Sequence, residues 1–547
     1  GRACEVRRRL PSRGPGLVLE GLEPGVSHAV TVIALNSAGD AVDPSPPAMG
    51  VPLAPQVIFV SGAGDDAHSG AEGDPVRTLA GAIARAGGGA QVIRVVGDIG
   101  LQQGPFILPA GVALDGADGL MRVRGFAPAG VCRGTGFNPT RRRTYAAIQS
   151  EGETLRVSNL SIGVVSYDTD PIDGCLVGFD ASEGSLALDN VSMTHFEYSA
   201  GAGERCRAGA QVTGGDAEIR NTTLSGVYSL VGAANLRVAG LCVTDARSVT
   251  ITDSRVVGYE QQTFRDPFPA VAAIGLDTLD VDTVRVSRSD LWASRSGVAA
   301  GGSHAGARIL ARQAVFLDNT VIWSPTGGGI SDGLEIVATD DRLDSVRLYH
   351  VSASAGRDGA LTTLLPINHG SAALRLSGAI GTLEIVNSVL VHAAGHLPLG
   401  GAGVLAVVDR RTGGDPERLT LRGTVASLNH FADARVAYLV CPPDAGEFAG
   451  ILDPAGWTRA REGHRCYQAT SVAAWAVDTN RAYDNRTTGE AVLLDAVGRV
   501  SDLSGGTSAR VNAAGVQVGA AIRAEVERDR FGEVRDPARP GAGAVAP

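Results

Sequence analysis

The feature that most restricts how this chain can fold is a column of corner residues repeated nine times. Nine segments align on Asn159, Asn190, Asn221, Asp253, Arg288, Asn319, His350, Asn387 and Gly423. Two positions before each corner stands an aliphatic residue: Val157, Leu188, Ile219, Ile251, Val286, Leu317, Leu348, Ile385 and Leu421. Three positions after it the apolar residue returns as Ile162, Met193, Leu224, Val256, Leu291, Ile322, Ala353, Leu390 and Ala426. Side chains alternate faces along a strand, so these two positions cannot share a face of one continuous strand. Two strands meeting at a one-residue bend place both inward. Eight of the nine corners are Asn, Asp, His or Gly, the types that best tolerate the left-handed backbone of such a bend. Arg288 breaks this rule and marks either a local loop or a slip in register.

Corner-to-corner steps run from 31 residues (Asn159 to Asn190) to 37 (His350 to Asn387). A near-constant step means stacked coils, with parallel strands about 4.8 Å apart and nine coils forming a rod section of about 40 Å. Stacked asparagines then bond to one another along the corner. Abundant glycine (73 residues) with only 5% aromatic residues suits a turn-rich β-protein better than a helical bundle. The expected fold class is all-β, a parallel β-helix whose regular coils span about 150–430 and whose part from 432 to 547 is irregular.

The ends read differently. Residues 17–36 alternate apolar and polar on either side of Pro24-Gly25 and resemble the second half of a fibronectin type III domain, with His28 where that family carries tyrosine. The resemblance covers residues 1–53, and Pro-rich 44–55 reads as a linker. From Val57 a strand leads into a Gly/Asp loop, and Leu79, Ala82, Ile83 and Ala86 then fall at helical spacing. A helix there would lie across the open end of the coils and protect their unpaired backbone. Repeats such as 248–257, the opening from Val60-Ser61 through Asp65, Gly70, Pro75, Thr78 and Ile83, and the closing segments 506–515, 529–535 and 540–544 resemble the pectate-lyase-like right-handed parallel β-helix superfamily of secreted bacterial proteins. That resemblance covers 56–547 and implies right-handed coils and an extracellular or cell-surface location.

All 48 basic residues are arginines and the formal charge is -10, which argues against a nucleic-acid partner. No apolar run of membrane-spanning length occurs. The chain opens on glycine without a signal-like segment, as a processed chain or an excised fragment does. The seven cysteines show no zinc-ligand spacing. Proximity in sequence favours Cys206 with Cys242 and Cys441 with Cys466, leaving Cys4 odd, while buried free thiols remain the alternative.

Candidate chemistry is thin. The superfamily's lyases use an Arg or Lys base, often with calcium, and its hydrolases use clustered aspartates. With no lysine, only an arginine base survives for the first. Asp340 and Asp341 are the nearest approach to the second, although their place just before a strand reads first as a turn. Asp65, Asp66 and Asp74 border the opening loop, where acids either hold calcium or cap turns. Arg141, Arg142 and Arg143 could meet an anionic glycan, and Trp292 and Trp323, on adjacent coils, could form a sugar platform or simply pack. The sequence thus favours a non-catalytic, extracellular β-helix binding polysaccharide or other cell-surface components, with a polysaccharide lyase or glycoside hydrolase acting on an acidic polysaccharide, or a structural rod, as alternatives.

Overall fold

A computed structural model describes residues 56–393 with loop interruptions, the longest being 260–270 and 356–371, together with 25–31, 45–51, short strands between 402 and 502, and 527–536. The chain divides into two compact units, 1–56 and 57–547. In the first, His28–Val30 pairs antiparallel with Ala48–Gly50. A strand therefore lies inside the stretch read as a linker. Cys4 and residues 17–24 fall outside the described residues.

The second unit is a right-handed parallel β-helix. One coil illustrates the rest: Leu236–Thr244 belongs to sheet A, Ser248–Thr252 to sheet B and Arg255–Tyr259 to sheet C. The corner column separates sheets B and C. On the B side Leu188, Ile219, Ile251, Val286, Leu317, Leu348 and Ile385 are paired in unbroken register. On the C side Met193, Leu224, Val256, Leu291, Ile322, Ala353 and Leu390 do the same. All are buried in one continuous core.

The corners adopt the left-handed conformation, with φ of 47 to 55° at Asn190, Asn221, Asp253, Asn319, His350 and Asn387. Arg288 does so too, at φ 45°, and the register runs through it unbroken. It is neither a loop nor a slip. Its guanidinium forks onto Asp253 of the preceding corner at 2.8 and 2.7 Å, replacing the amide bonds made elsewhere, such as Asn190 Nδ2 to Asn159 Oδ1 at 3.0 Å. The charged fork offsets a left-handed cost of about 1–2 kcal/mol. Arg288→Asn should therefore leave the denaturation midpoint nearly unchanged, whereas Arg288→Val, β-branched and without the fork, should lower it clearly.

Immediately after the corner runs a column of buried hydroxyls. Thr222, Ser254 and Ser289 each accept from the backbone N–H of the coil before (3.2, 3.1 and 3.1 Å) and donate to a carbonyl two residues back. The corner stack begins at Asp115, which accepts from Asn159 Nδ2 at 3.0 Å and from Arg94 Nε at 2.8 Å. Burial pushes the Asp115 carboxyl up, but these bonds outweigh it and hold it below the ordinary value of 3.8. The unfolded carboxyl thus binds its proton first as pH falls. The stability Asp115 contributes is complete above the unfolded value and lost as pH drops through the folded one. Urea midpoints measured across the acid range should fall less steeply for Asp115→Asn than for the parent chain.

The helix expected over the open end is present as Leu79–Arg85, capped by Thr78, with Leu79 and Ala82 buried. Beyond 430, Val436–Cys441 extends sheet A and Arg481–Asp484 extends sheet C, so the poorly repeating stretch still adds strands to both. Residues 527–536 return to the corner. Arg530 forks onto Asp290 at 2.9 and 2.9 Å, and Arg535 reaches Asn319 Oδ1 at 2.9 Å. Burial lowers the Arg535 guanidinium to about 10.

Candidate functional site

The acids of the opening loop are spent on its own donors. Asp66 accepts from the backbone N–H groups of Arg77 and Thr78 and from the Thr78 hydroxyl (3.0, 2.8 and 2.8 Å), which fixes the loop to the first turn of the helix. Asp74 accepts from Ser69 twice, and Asp65 from Ala67 N. These are turn and cap geometries. Among the described residues no group of three or more His, Cys, Asp or Glu side chains is arranged to hold a metal ion.

Arg141 and Arg143 are exposed and Arg142 is half-buried, in a loop held by Asn138, whose Oδ1 accepts from Arg142 N at 2.8 Å. Trp292 and Trp323 are register partners on the outer face of sheet C. The Trp292 indole is 3% exposed and lies beneath the Arg255 guanidinium, 4.7 Å from the ring centre. Trp323 is half-buried. The two lie side by side on neighbouring coils, and of the two only Trp323 reaches solvent. Asp340 and Asp341 lie outside the described residues.

Chemistry gathers instead on the outer face of sheet A. Its first coils are covered by the chain itself: Ala127–Ala129 pairs antiparallel with 144–146 at the edge of the sheet, and residues 130–134 then cross its outer face, with Gly130 against Ser182 and Gly134 against Asp277. Cys132, Ala146, Cys175, Val177, Cys206, Ala208, Ala239 and Cys242 form a second, smaller core beneath this cover. Cys132–Cys242 staples the cover to the sheet and Cys175–Cys206 joins neighbouring coils. The Cys206–Cys242 pairing expected from proximity does not form, because the register sets Cys206 opposite Cys175 and sets Cys242 opposite Gln211. Cys466 is outside the described residues, and of Cys441 only the backbone is described.

Two glycines let the cover lie this close. A Cβ on Gly130 would stand 2.0 Å from Ser182 Oγ, and one on Gly134 would stand 2.4 Å from Asp277 Oδ2. Beneath the cover, burial raises the Asp180 carboxyl above its ordinary value although Ser182 (2.6 Å) and Gln211 (2.7 Å) donate to it. Gln211 also donates to Gly130 O at 2.7 Å.

Beyond Cys242 the same outward column becomes ionic. Asp277, Arg308, Glu335 and Arg375 follow one another in register, one per coil. Asp332, three residues before Glu335 on the same strand, receives a two-pronged bond from Arg375 at 2.7 and 3.0 Å. Arg308 Nε donates to Glu335 Oε2. Asp277 and Asp332 are buried. Arg308 and Glu335 keep 24% and 17% of their side chains in contact with water, against 9% and 3% for Arg375 and Asp332. Burial works against the charge on Arg308, but the fields of Glu335 and Asp277 outweigh it and raise its pKa. Asp332 does the same for Arg375.

Sequence reasoning missed this site. A reader following sheet A would have found the 31-residue step between Cys175 and Cys206, equal to the corner step, and one ionisable side chain per coil beyond Cys242.

No protein-family model and no curated protein matches the chain. Solved structures similar to it include a complex of XylC with xylose, 7% identical over 70% of this chain and 86% of that one, with a TM-score of 0.26. A GH136 lacto-N-biosidase from Eubacterium ramulus is 11% identical over 71% and 67%, TM-score 0.25. A family 28 exopolygalacturonase of Yersinia enterocolitica is 10% identical over 76% and 83%, TM-score 0.19.

Proposed function

We propose that this chain is an extracellular or cell-surface β-helix that binds a glycan without cleaving it, and that the ligand sits on the outer face of sheet A along Arg308, Glu335, Asp332 and Arg375. The observation that carries the reading is the change on that face from a stapled apolar surface to a column of paired ions beyond Cys242, of which Arg308 and Glu335 reach water. Paired carboxylates and guanidiniums offer fixed acceptors and donors side by side, the complement of neighbouring sugar hydroxyls. Both arginines are already held by carboxylates, and with Asp277 three acids against two arginines leave the cluster at net -1. A neutral glycan suits that balance better than a polyuronate. Two disulfides support an oxidising compartment, and the N-terminal stretch resembling half of a type III module fits a surface protein.

The test is retention of the purified chain on amorphous cellulose, xylan, mannan and starch, beside polygalacturonate and alginate, with released sugar measured in parallel. Retention on a neutral polymer without sugar release is expected. Sugar release would replace binding by hydrolysis as the function, and retention on the acidic polymers alone would contradict the neutral-glycan reading.

A further inference from the structure

The hairpin at 527–536 is joined to the rod by bonds that skip whole coils. Arg530 reaches Asp290 across 240 residues of chain, and Arg535 reaches Asn319 across 216. Bonds from corner to corner span far less, 31 residues for Asn190 to Asn159 and 35 for Arg288 to Asp253. Five steps of register carry sheet C from Asp290–Ser294 to Arg481–Asp484. The hairpin follows both strands in the chain, yet it docks about 24 Å back along the rod from the second of them.

The hairpin holds its own shape. The buried Asp529 carboxylate accepts from Phe531 N and Glu533 N at 2.8 and 2.9 Å, and Arg535 N donates to Glu527 O at 2.8 Å. Both arginines are thereby directed at the corner column. The Arg530 fork takes both oxygens of Asp290, which also accepts from Arg255 Nε at 3.2 Å. Arg535 gives two donors to Asn319 Oδ1. Corners Asn190, Asn221 and Asp253 are exposed, whereas Asn319, where Arg535 docks, is buried, as is Arg535 itself. Charge-assisted bonds between buried partners are strong, and water does not replace them in place.

We infer that the hairpin is a clasp, which ties the coils beyond Asn319, those of Asp332, Glu335 and Arg375 included, into one cooperative block with the coils before them. A stack of coils bonded only to their neighbours frays from its end, coil by coil. With the hairpin docked, coils that peel away beyond Asn319 stay tied at both ends. A closed loop gains less conformational entropy than a free tail, so fraying is suppressed until the clasp itself lets go.

Hydrogen–deuterium exchange of the full chain, followed strand by strand as denaturant is raised below the unfolding midpoint, tests this. In the parent, Leu343–Tyr349, Ile380–Val386 and Val389–Ala393 should open in one step together with the hairpin. In Arg530→Met/Arg535→Met the same strands should exchange about tenfold faster or more, while Arg205–Arg220, before the clasp, keeps its parental rate. Arg528→Met, whose partner Gly532 O lies within the hairpin, should match the parent. Stepwise opening of these strands in the parent, last coil first, would overturn the inference whether or not the double variant folds. So would a loss of protection confined to the hairpin and the coils of Asp290 and Asn319, or an equal loss in every coil. No glycan enters these readouts, so the clasp and the glycan reading fail separately.

Discussion

Gly275→Ala is expected to destabilise the rod by about 3 kcal/mol or more, although it adds a single methyl group. Gly178, Gly209, Gly240, Gly275, Gly306 and Gly333 occupy one register position of sheet A, between Val177/Phe179 in one coil and their counterparts in the next. Here sheets A and C approach backbone to backbone. A Cβ on Gly275 would stand 2.4 Å from Gly306 O, 2.8 Å from Trp292 N and 2.9 Å from Trp292 O. None of these is the movable end of a side chain. Relief requires shifting two coils, and interiors packed at crystal density transmit such strain without absorbing it. Gly73→Ala is the control, since a Cβ there meets nothing within 4 Å; its cost should stay within about 0.5 kcal/mol. In a stack of coils bonded only to their neighbours, the damage should be local at first. Limited proteolysis of Gly275→Ala should therefore cut near the coils of 275 and 306 at denaturant concentrations where the parent resists. Equal midpoints for the two variants would mean that the sheets are further apart than described.

The second large effect concerns Asp332 and Arg375. Arg375→Met should cost about 3–5 kcal/mol, because it strands a buried carboxylate without its counter-charge. Removing both charges in Asp332→Leu/Arg375→Met should return stability to within about 1–2 kcal/mol of the parent, since the desolvation of both ions is no longer borne. The pair is then separable from the fold. Loss of glycan retention in the double variant, at near-parental stability, marks the pair as part of the binding surface. Full retention would mark it as structural only. The cycle of single and double variants, read by denaturant midpoints, also measures the coupling between the two residues directly.

What the sequence reveals follows from which distances the chain holds constant. Corner to corner, the path crosses three sheets and one variable connection, yet the left-handed bend demands a narrow set of residues and flanking parity, so nine corners stand out. Arg288 shows the limit of that rule. Its side chain supplies in the fold a charged bond to Asp253 that residue preference alone does not anticipate. Sheet A has no such demanding residue on its outer face. Its ionic column steps by 31 residues from Asp277 to Arg308, by 27 to Glu335 and by 40 to Arg375, because the connection before each strand varies in length. No fixed period links these residues, and only the register brings them together. The glycine column was likewise hidden among 73 glycines. The acids of the opening loop stood out as a cluster, yet they serve the turn that starts the helix.

The most direct test of the central claim, that the outer face of sheet A beyond the disulfide-stapled cover is a glycan-binding surface, is retention of the parent and of Asp332→Leu/Arg375→Met on the same immobilised neutral polysaccharides, with denaturant midpoints measured on the same preparations. The account predicts that the parent is retained and that the double variant, with a comparable midpoint, loses at least tenfold in affinity. Equal retention of two equally stable proteins would contradict it.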